Sequence, residues 1–294
     1  MSIDNLMVFG TLALVMLAWV GLSVGSFLNV VIYRLPVMLE RTWTAIAKEH
    51  LEEAAKRESP IADDAPFNLA VPRSRCPACQ TPIKAWQNIP VLSWLLLRGR
   101  CAACGTSIPV RYPAIELMTG IASVAVIATF SFTGFGYAAL LFTWVLIAAT
   151  FIDFDTQLLP DQLTLPLLWA GLLVNSTAFP GLVGPVSPTD SILGATFGYG
   201  SLWSVYWLFK LVTGKEGMGF GDFKLLGALG AWLGWQVLPA IILIASVCGL
   251  TYALFGMLRN RQELGQPMPF GPFLAIGGWV CLIARDRVLA FFSI

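Results

Sequence analysis

The sequence predicts an all-α polytopic membrane protein of about eight transmembrane helices, with a metal-binding loop domain between the first two. Three observations predict it. Of 294 residues, 57% are hydrophobic and 12% charged, roughly half the ~25% charged share of a soluble globular domain. Uncharged runs of 29, 36 and 34 residues separate Asp4 from Arg34 and fill Leu117–Ile152 and Leu225–Leu258, where ~20 apolar residues suffice for one crossing. The only extended polar segment runs from Tyr33 to Tyr112 and carries 11 of the 18 Lys and Arg residues.

The first helix is expected within residues 1–32, its apolar part over 6–32. Met-Ser-Ile-Asp-Asn lacks the basic start of a cleaved signal peptide, and the run that follows is too long for one. Residues 33–112 form the loop domain. Within it, Met38 to Glu58 places apolar residues at helical intervals and reads as a surface or interfacial helix. Ser59 to Pro72 reads as irregular.

A seven-helix membrane domain is expected over 113–294. The run from Leu117 to Ile152 is too long for one crossing, and Ser131 to Gly136 supplies the turn between helices near 114–131 and 137–152. One span lies within 162–179, ending near Phe179-Pro180-Gly181, and another over 191–209. Gly234-Trp235-Gln236 and Pro239 divide the next run into a short and a longer helix. A last span follows Pro269-Phe270-Gly271-Pro272.

Positive charge collects on the cytoplasmic side of a membrane. With the N-terminus on the far side, the loop domain, 153–161, 210–224 and 259–261 all face the cytoplasm. The turns that face outward carry no Lys or Arg, and Arg285 and Arg287 are the exceptions. Small residues at four-residue spacing (Gly21 and Gly25, Gly194 and Gly198, Gly230 and Gly234) read as close helix packing.

Cys76-x-x-Cys79 and Cys101-x-x-Cys104 are two knuckles 21 residues apart. Together they offer the four soft ligands of tetrahedral zinc, and a reducing cytoplasmic loop disfavours the rival disulfide. A set of four cysteine ligands leaves no open coordination position, so Zn2+ here is structural. Cys248 and Cys281 lie in apolar runs and read as core residues.

The chain has one histidine, His50, which excludes a HExxH metalloprotease and argues against a Ser-His-Asp triad. No phosphate-binding glycine motif occurs, the net charge is +1, and no nucleic-acid partner is expected. Acidic residues at membrane boundaries remain. Asp153 and Asp155 close one apolar run, and Asp161 opens the next. Asp222 follows Gly219-Phe220-Gly221, with Lys224 two positions on. Carboxylates there are costly and default to a functional role. Asp161 reads equally as a helix cap, and Asp190 as a helix start. Gly219 and Gly221 would permit unusual backbone geometry and close approach of a second chain. Asp153 and Asp222, on one face by the topology, would form a coupled acid pair that polarises a carbonyl and activates water.

These features resemble the bifunctional type IV prepilin leader peptidases and N-methyltransferases of the GxGD membrane aspartyl protease family. The resemblance rests on Gly25-Ser26-Phe27-Leu28-Asn29-Val30-Val31-Ile32-Tyr33-Arg34-Leu35-Pro36, the two Cys pairs, and Arg111-Tyr112-Pro113 with Glu116. Asp153-x-Asp155, Leu159-Pro160-Asp161 and Gly219-Phe220-Gly221-Asp222-Phe223-Lys224 extend it over nearly the whole chain. It implies a bacterial inner-membrane enzyme that cuts the basic leader from prepilins and pseudopilins at the cytoplasmic face. It further implies methylation of the new N-terminal amine with S-adenosylmethionine. By position, the catalytic pair falls on Asp153 and Asp222, with Gly219, Gly221, Lys224, Asp155 and Asp161 as support. Gly99 matches a glycine tied to methylation. The expected partners are prepilin substrates and membrane lipid; the oligomeric state is left open. Two other readings of the same residues stay open: a proton-coupled transporter using the carboxylates, and a non-catalytic zinc-ribbon assembly factor of a secretion system.

Overall fold

A computed structural model describes residues 3–54, 67–176, 181–215, 217–258 and 268–292. Among them the chain is helical, with two isolated β-bridges and no strand. Each expected apolar run forms a helix. These are α1 (Ile3–Ala54), α3 (Arg111–Phe130), α4 (Gly134–Thr156), α5 (Asp161–Val174), α6 (Pro188–Thr213), α7 (Phe220–Leu233), α8 (Leu238–Leu258) and α9 (Gly271–Ile283). A short helix, α2 (Leu92–Leu96), lies in the loop domain, and α10 (Arg285–Phe292) follows α9.

Among the described residues, four segments are long and apolar enough to cross a membrane: Gly10–Lys48, Arg111–Phe130, Gly134–Thr156 and Trp235–Leu258. The expected number of crossings is thus met in helices but not in spans. α5, α7 and α9 have 14, 14 and 13 residues, about 20 Å at 1.5 Å per residue against a core of ~30 Å. α6 is longer, at 26 residues, but its Ser, Thr and Gly content lowers its apolarity.

The first helix does not stop at 32. α1 runs unbroken for 52 residues through Pro36, absorbing most of the separate helix expected over 38–58. Met, Leu, Glu, Arg, Ala and Lys after Pro36 are strong helix formers and carry it on. The His50 side chain, residues 59–66 of the expected irregular segment, the span end at 177–180 and the arginines near 259–261 lie outside the described residues.

The expected breaks have local causes. Thr133 caps α4, its hydroxyl accepting from Gly136 N–H at 3.0 Å. Gly234, at φ 83°, closes α7 with its N–H on Gly230 O at 2.8 Å.

The chain forms two compact units, Met1–Val124 and Ala125–Ile294. In the first, Gly25 brings α1 against α3: a Cβ there would sit 2.6 Å from Glu116 Cα. In the second, α7 is the central element, buried at every position from Leu225 to Leu233. Gly230 of α7 meets Gly194 of α6 backbone to backbone. So short a buried helix must have its terminal carbonyls satisfied. Asn175 Nδ2 donates to Ala231 O and Trp232 O at 2.9 and 3.0 Å, and the Ser191 hydroxyl donates to Ala231 O at 2.6 Å. Arg285, which breaks the charge pattern, lies within electrostatic reach of Asp190. Asp190 itself exchanges hydrogen bonds with the α6 cap Ser187 and accepts from Trp235 Nε1 at 2.9 Å.

Candidate active site and metal centre

The two cysteine knuckles are copies of one another in sequence and in backbone. Arg75-Cys76-x-Ala78-Cys79-x-Thr81 is matched by Arg100-Cys101-x-Ala103-Cys104-x-Thr106. In each, the first Cys N–H bonds the Thr carbonyl (3.0 and 2.8 Å), and its own carbonyl accepts from the residue after the second Cys, at 2.9 Å in both. That residue takes a left-handed turn in both copies, Gln80 at φ 57° and Gly105 at φ 72°. Each turn aims two thiols inward.

All four Sγ atoms lie within 4.8 Å of one another. Cys76 and Cys104 are 3.8 Å apart, close to the ~3.8 Å edge of a tetrahedron with ~2.3 Å metal–sulfur bonds. The donor set therefore fits a four-coordinate soft metal. The Thr106 hydroxyl and N–H beside Cys104 pull its thiol down to about 6, and Thr81 lowers Cys79 in the same way. Both favour the thiolate that binds metal.

The loop is clamped to its flanking helices by groups of the Gly25–Pro36 stretch and Glu116. Buried Arg34 donates to Asn68 O at 2.7 Å and Pro72 O at 2.6 Å. Asn29 Nδ2 donates to Tyr112 O at 3.2 Å. Buried Glu116 accepts from Val91 N–H at 2.7 Å, at the start of α2. Gly99 follows α2 at φ 65°, its N–H on Trp94 O. A Cβ there would meet the Trp94 ring at 2.8 Å, while Trp94 Nε1 donates to Ile108 O at 3.1 Å. Gly99 thus shapes the entry to the second knuckle.

The acid pair comes from two helix ends. Asp153 lies in the last turn of α4, its carbonyl accepting from left-handed Gln157 at 2.9 Å. Asp222 lies in the first turn of α7, where the helix dipole favours a carboxylate. Both are buried, and each is within electrostatic reach of the other. An aromatic cluster of Tyr206, Phe220 and Phe223, with centroids 5.1 to 5.7 Å apart, sets the start of α7.

A third helix end completes the site. Gly271 N–H, at the first residue of α9, donates to Asp153 Oδ2 at 3.1 Å. A Cβ on Gly271 would lie 2.7 Å from that oxygen, and one on Gly221 2.6 Å from Leu159 Cβ. Leu159, on the α4–α5 link, therefore touches the two glycines that flank the acids. Sequence reasoning read Phe270-Gly271-Pro272 only as a break before the last helix. The available signal was Pro272 in the first turn, which marks a helix start with free N–H groups.

The supporting residues divide. Gly221 is needed for close approach, not for backbone freedom, since it lies inside α7. Gly219 has ordinary extended geometry at φ −78°, and its open side meets only Asp222 Oδ2, at 4.0 Å. That leaves space over the acid. Asp155 follows Asp153 by two residues, about 200° around the helix, and is exposed. Asp161 is not the helix cap; Pro160 holds that position. Its carboxylate instead binds Lys224 Nζ through both oxygens, at 2.6 and 2.8 Å.

Comparisons with known proteins agree along the chain. The Bacterial Peptidase A24 N-terminal domain matches residues 19–130, and the Type IV leader peptidase family matches residues 140–254. A prepilin leader peptidase/N-methyltransferase of Aeromonas hydrophila is 54% identical over 273 residues, 92% of this chain and 91% of its own. Proteins of the same name from Stutzerimonas stutzeri and Neisseria gonorrhoeae are 54% and 49% identical. They cover 95% and 97% of this chain, and 93% and 95% of their own lengths. No solved structure matches the chain significantly.

Proposed function

The chain belongs to the type IV leader peptidase family, and on that premise we propose that it removes the leader of prepilins and pseudopilins and then methylates the new N-terminal residue. It is a membrane aspartic endopeptidase with N-methyltransferase activity, acting at the cytoplasmic face of the inner membrane with its N-terminus periplasmic. The observation that carries the peptidase reading is the buried Asp153–Asp222 pair, fixed by three helix ends.

The pair shares one proton. The ionised carboxylate takes a proton from water as the oxygen attacks the scissile carbonyl carbon. The protonated partner donates to the carbonyl oxygen and stabilises the tetrahedral intermediate. Collapse breaks the C–N bond, and a proton passes to the leaving amine. Gly271 N–H holds Asp153 in orientation throughout, and the open side of Gly219 leaves room for an extended peptide.

Cys76, Cys79, Cys101 and Cys104 hold Zn2+ as a structural ion, and the thiol spacing supports that reading. S-adenosylmethionine supplies an electrophilic methyl group for the freed amine. The described loop residues 67–110 carry five cations and no carboxylate to face its sulfonium or ribose. Gly99 serves methylation by keeping the second knuckle in shape.

The test is cleavage of a prepilin by purified protein in nanodiscs, comparing wild type with Asp153→Ala and Asp222→Ala singly. Each substitution is expected to lower processing by about 10²–10⁴-fold while zinc content stays unchanged. Processing that survives either one rejects the paired-acid mechanism, and Asp222-dependent proton uptake without cleavage would indicate a transporter.

A further inference from the structure

The depth of α2 follows from the helix beside it. α3 has 20 residues, about 30 Å at 1.5 Å each, which matches the hydrocarbon core only if its whole length is used. Glu116 is five residues past Arg111, so it lies about 7 Å inside that span. Its carboxylate accepts from Val91 N–H at 2.7 Å, and Val91 caps α2. α2 is thereby tied to the first turns of α3, at the end of a candidate span, where interfacial helices rest.

The surface of α2 suits that level. Leu92, Leu95 and Leu96, at helical i, i+3 and i+4, are 49, 57 and 77% exposed, whereas Ser93 is buried. Trp86, just upstream, is also half exposed, and Trp is enriched at membrane interfaces. In water such a cluster would be a liability. Arg73, Arg75, Lys84, Arg98 and Arg100 are all exposed, in a loop with no described carboxylate between residues 67 and 110.

The geometry points to a membrane-docking face on the metal-binding loop: Trp86, Leu92, Leu95 and Leu96 enter the leaflet that α3 crosses, and the loop cations bind its anionic headgroups. Exposed apolar side chains on the same described segment as five exposed cations are the chemistry of anionic-lipid binding. A basic prepilin leader would be repelled by the same charges. Docking keeps the cysteine knuckles at the bilayer surface.

The experiment uses the zinc-loaded full chain with Cys248→Ala and Cys281→Ala, carrying a nitroxide on Leu96→Cys. It is placed in nanodiscs of phosphatidylcholine with or without phosphatidylglycerol. Collision with oxygen, which partitions into lipid, is compared with collision by a water-soluble nickel chelate. In anionic discs the oxygen-to-nickel ratio is expected to be several-fold higher than in phosphatidylcholine alone. It should fall back when Lys84→Gln and Arg98→Gln are added, with zinc content unchanged. High nickel access in both lipids overturns the proposal. So does protection that arises only when a prepilin is added, which would make the face a substrate surface. Leu95→Cys provides the same contrast if the first labelled variant loses zinc.

Discussion

Asp153 and Asp222 could be singled out from the sequence because acids are rare in runs this apolar, and the topology put them on one face. Gly271 could not, because its contribution is a backbone N–H that any residue but proline possesses. What singles it out is the lack of space: a Cβ would lie 2.7 Å from Asp153 Oδ2 and 2.9 Å from Leu159 Cδ1. Gly271→Ala is therefore expected to displace the carboxylate and lower prepilin cleavage by about 10²-fold, the usual cost of a misplaced catalytic group. Turnover under saturating prepilin measures it, with methylation of pre-cleaved pilin as the control that should stay unchanged. Gly99 makes the opposite case. Valine there would cost about 1–2 kcal/mol for the left-handed backbone alone, with the clash against Trp94 in addition. Gly99→Val is expected to lose bound zinc and methyl transfer together while cleavage persists; metal analysis beside both assays decides it. Retained zinc with lost methylation would assign Gly99 to the donor site instead.

Between elements, α5 and α7 are joined near the acids by the Asp161–Lys224 bridge. Its side chains are 52% and 28% exposed, and exposed ion pairs contribute about 0–1 kcal/mol. Lys224→Met is accordingly expected to lower stability by less than about 1 kcal/mol and cleavage only modestly, as read by thermal unfolding in nanodiscs and by initial rates. A loss as large as that of Asp222→Ala would instead make Lys224 part of the catalytic machinery. The proximity of Asp161 and Lys224 was not legible, since 63 residues separate them and each had a plausible local role. Position alone explained Asp161 as a cap, a place that Pro160 takes in the fold. The clamp on the loop was equally hidden. Arg34 and Glu116 were visible only as parts of a family motif, and their targets are backbone groups of Asn68, Pro72 and Val91.

For the molecule as a whole, the loop's four-cysteine cluster and the acid pair belong to separate compact units. Small metal-held loops lose their fold with the metal, because binding and folding free energy are shared. Removing zinc with a chelator is expected to open the loop to limited proteolysis and abolish methyl transfer, with leader cleavage continuing. Parallel assays on the chelated and zinc-restored protein test this; loss of cleavage as well would show that the acid site depends on the loop.

Composition and uncharged run lengths by themselves determined the helical membrane class and the positions of the main helices, and knuckle spacing determined the four-cysteine centre. These are local properties: hydrophobic run length, turn chemistry and cysteine spacing are written in consecutive residues. Only the tertiary structure decided that α1 continues through Pro36, that α5, α7 and α9 are too short to cross alone, and which groups meet at the acids. Those outcomes depend on distant backbones approaching to van der Waals contact, as Gly271 and Leu159 do beside Asp153. No stretch of sequence records such an approach until the helices have packed.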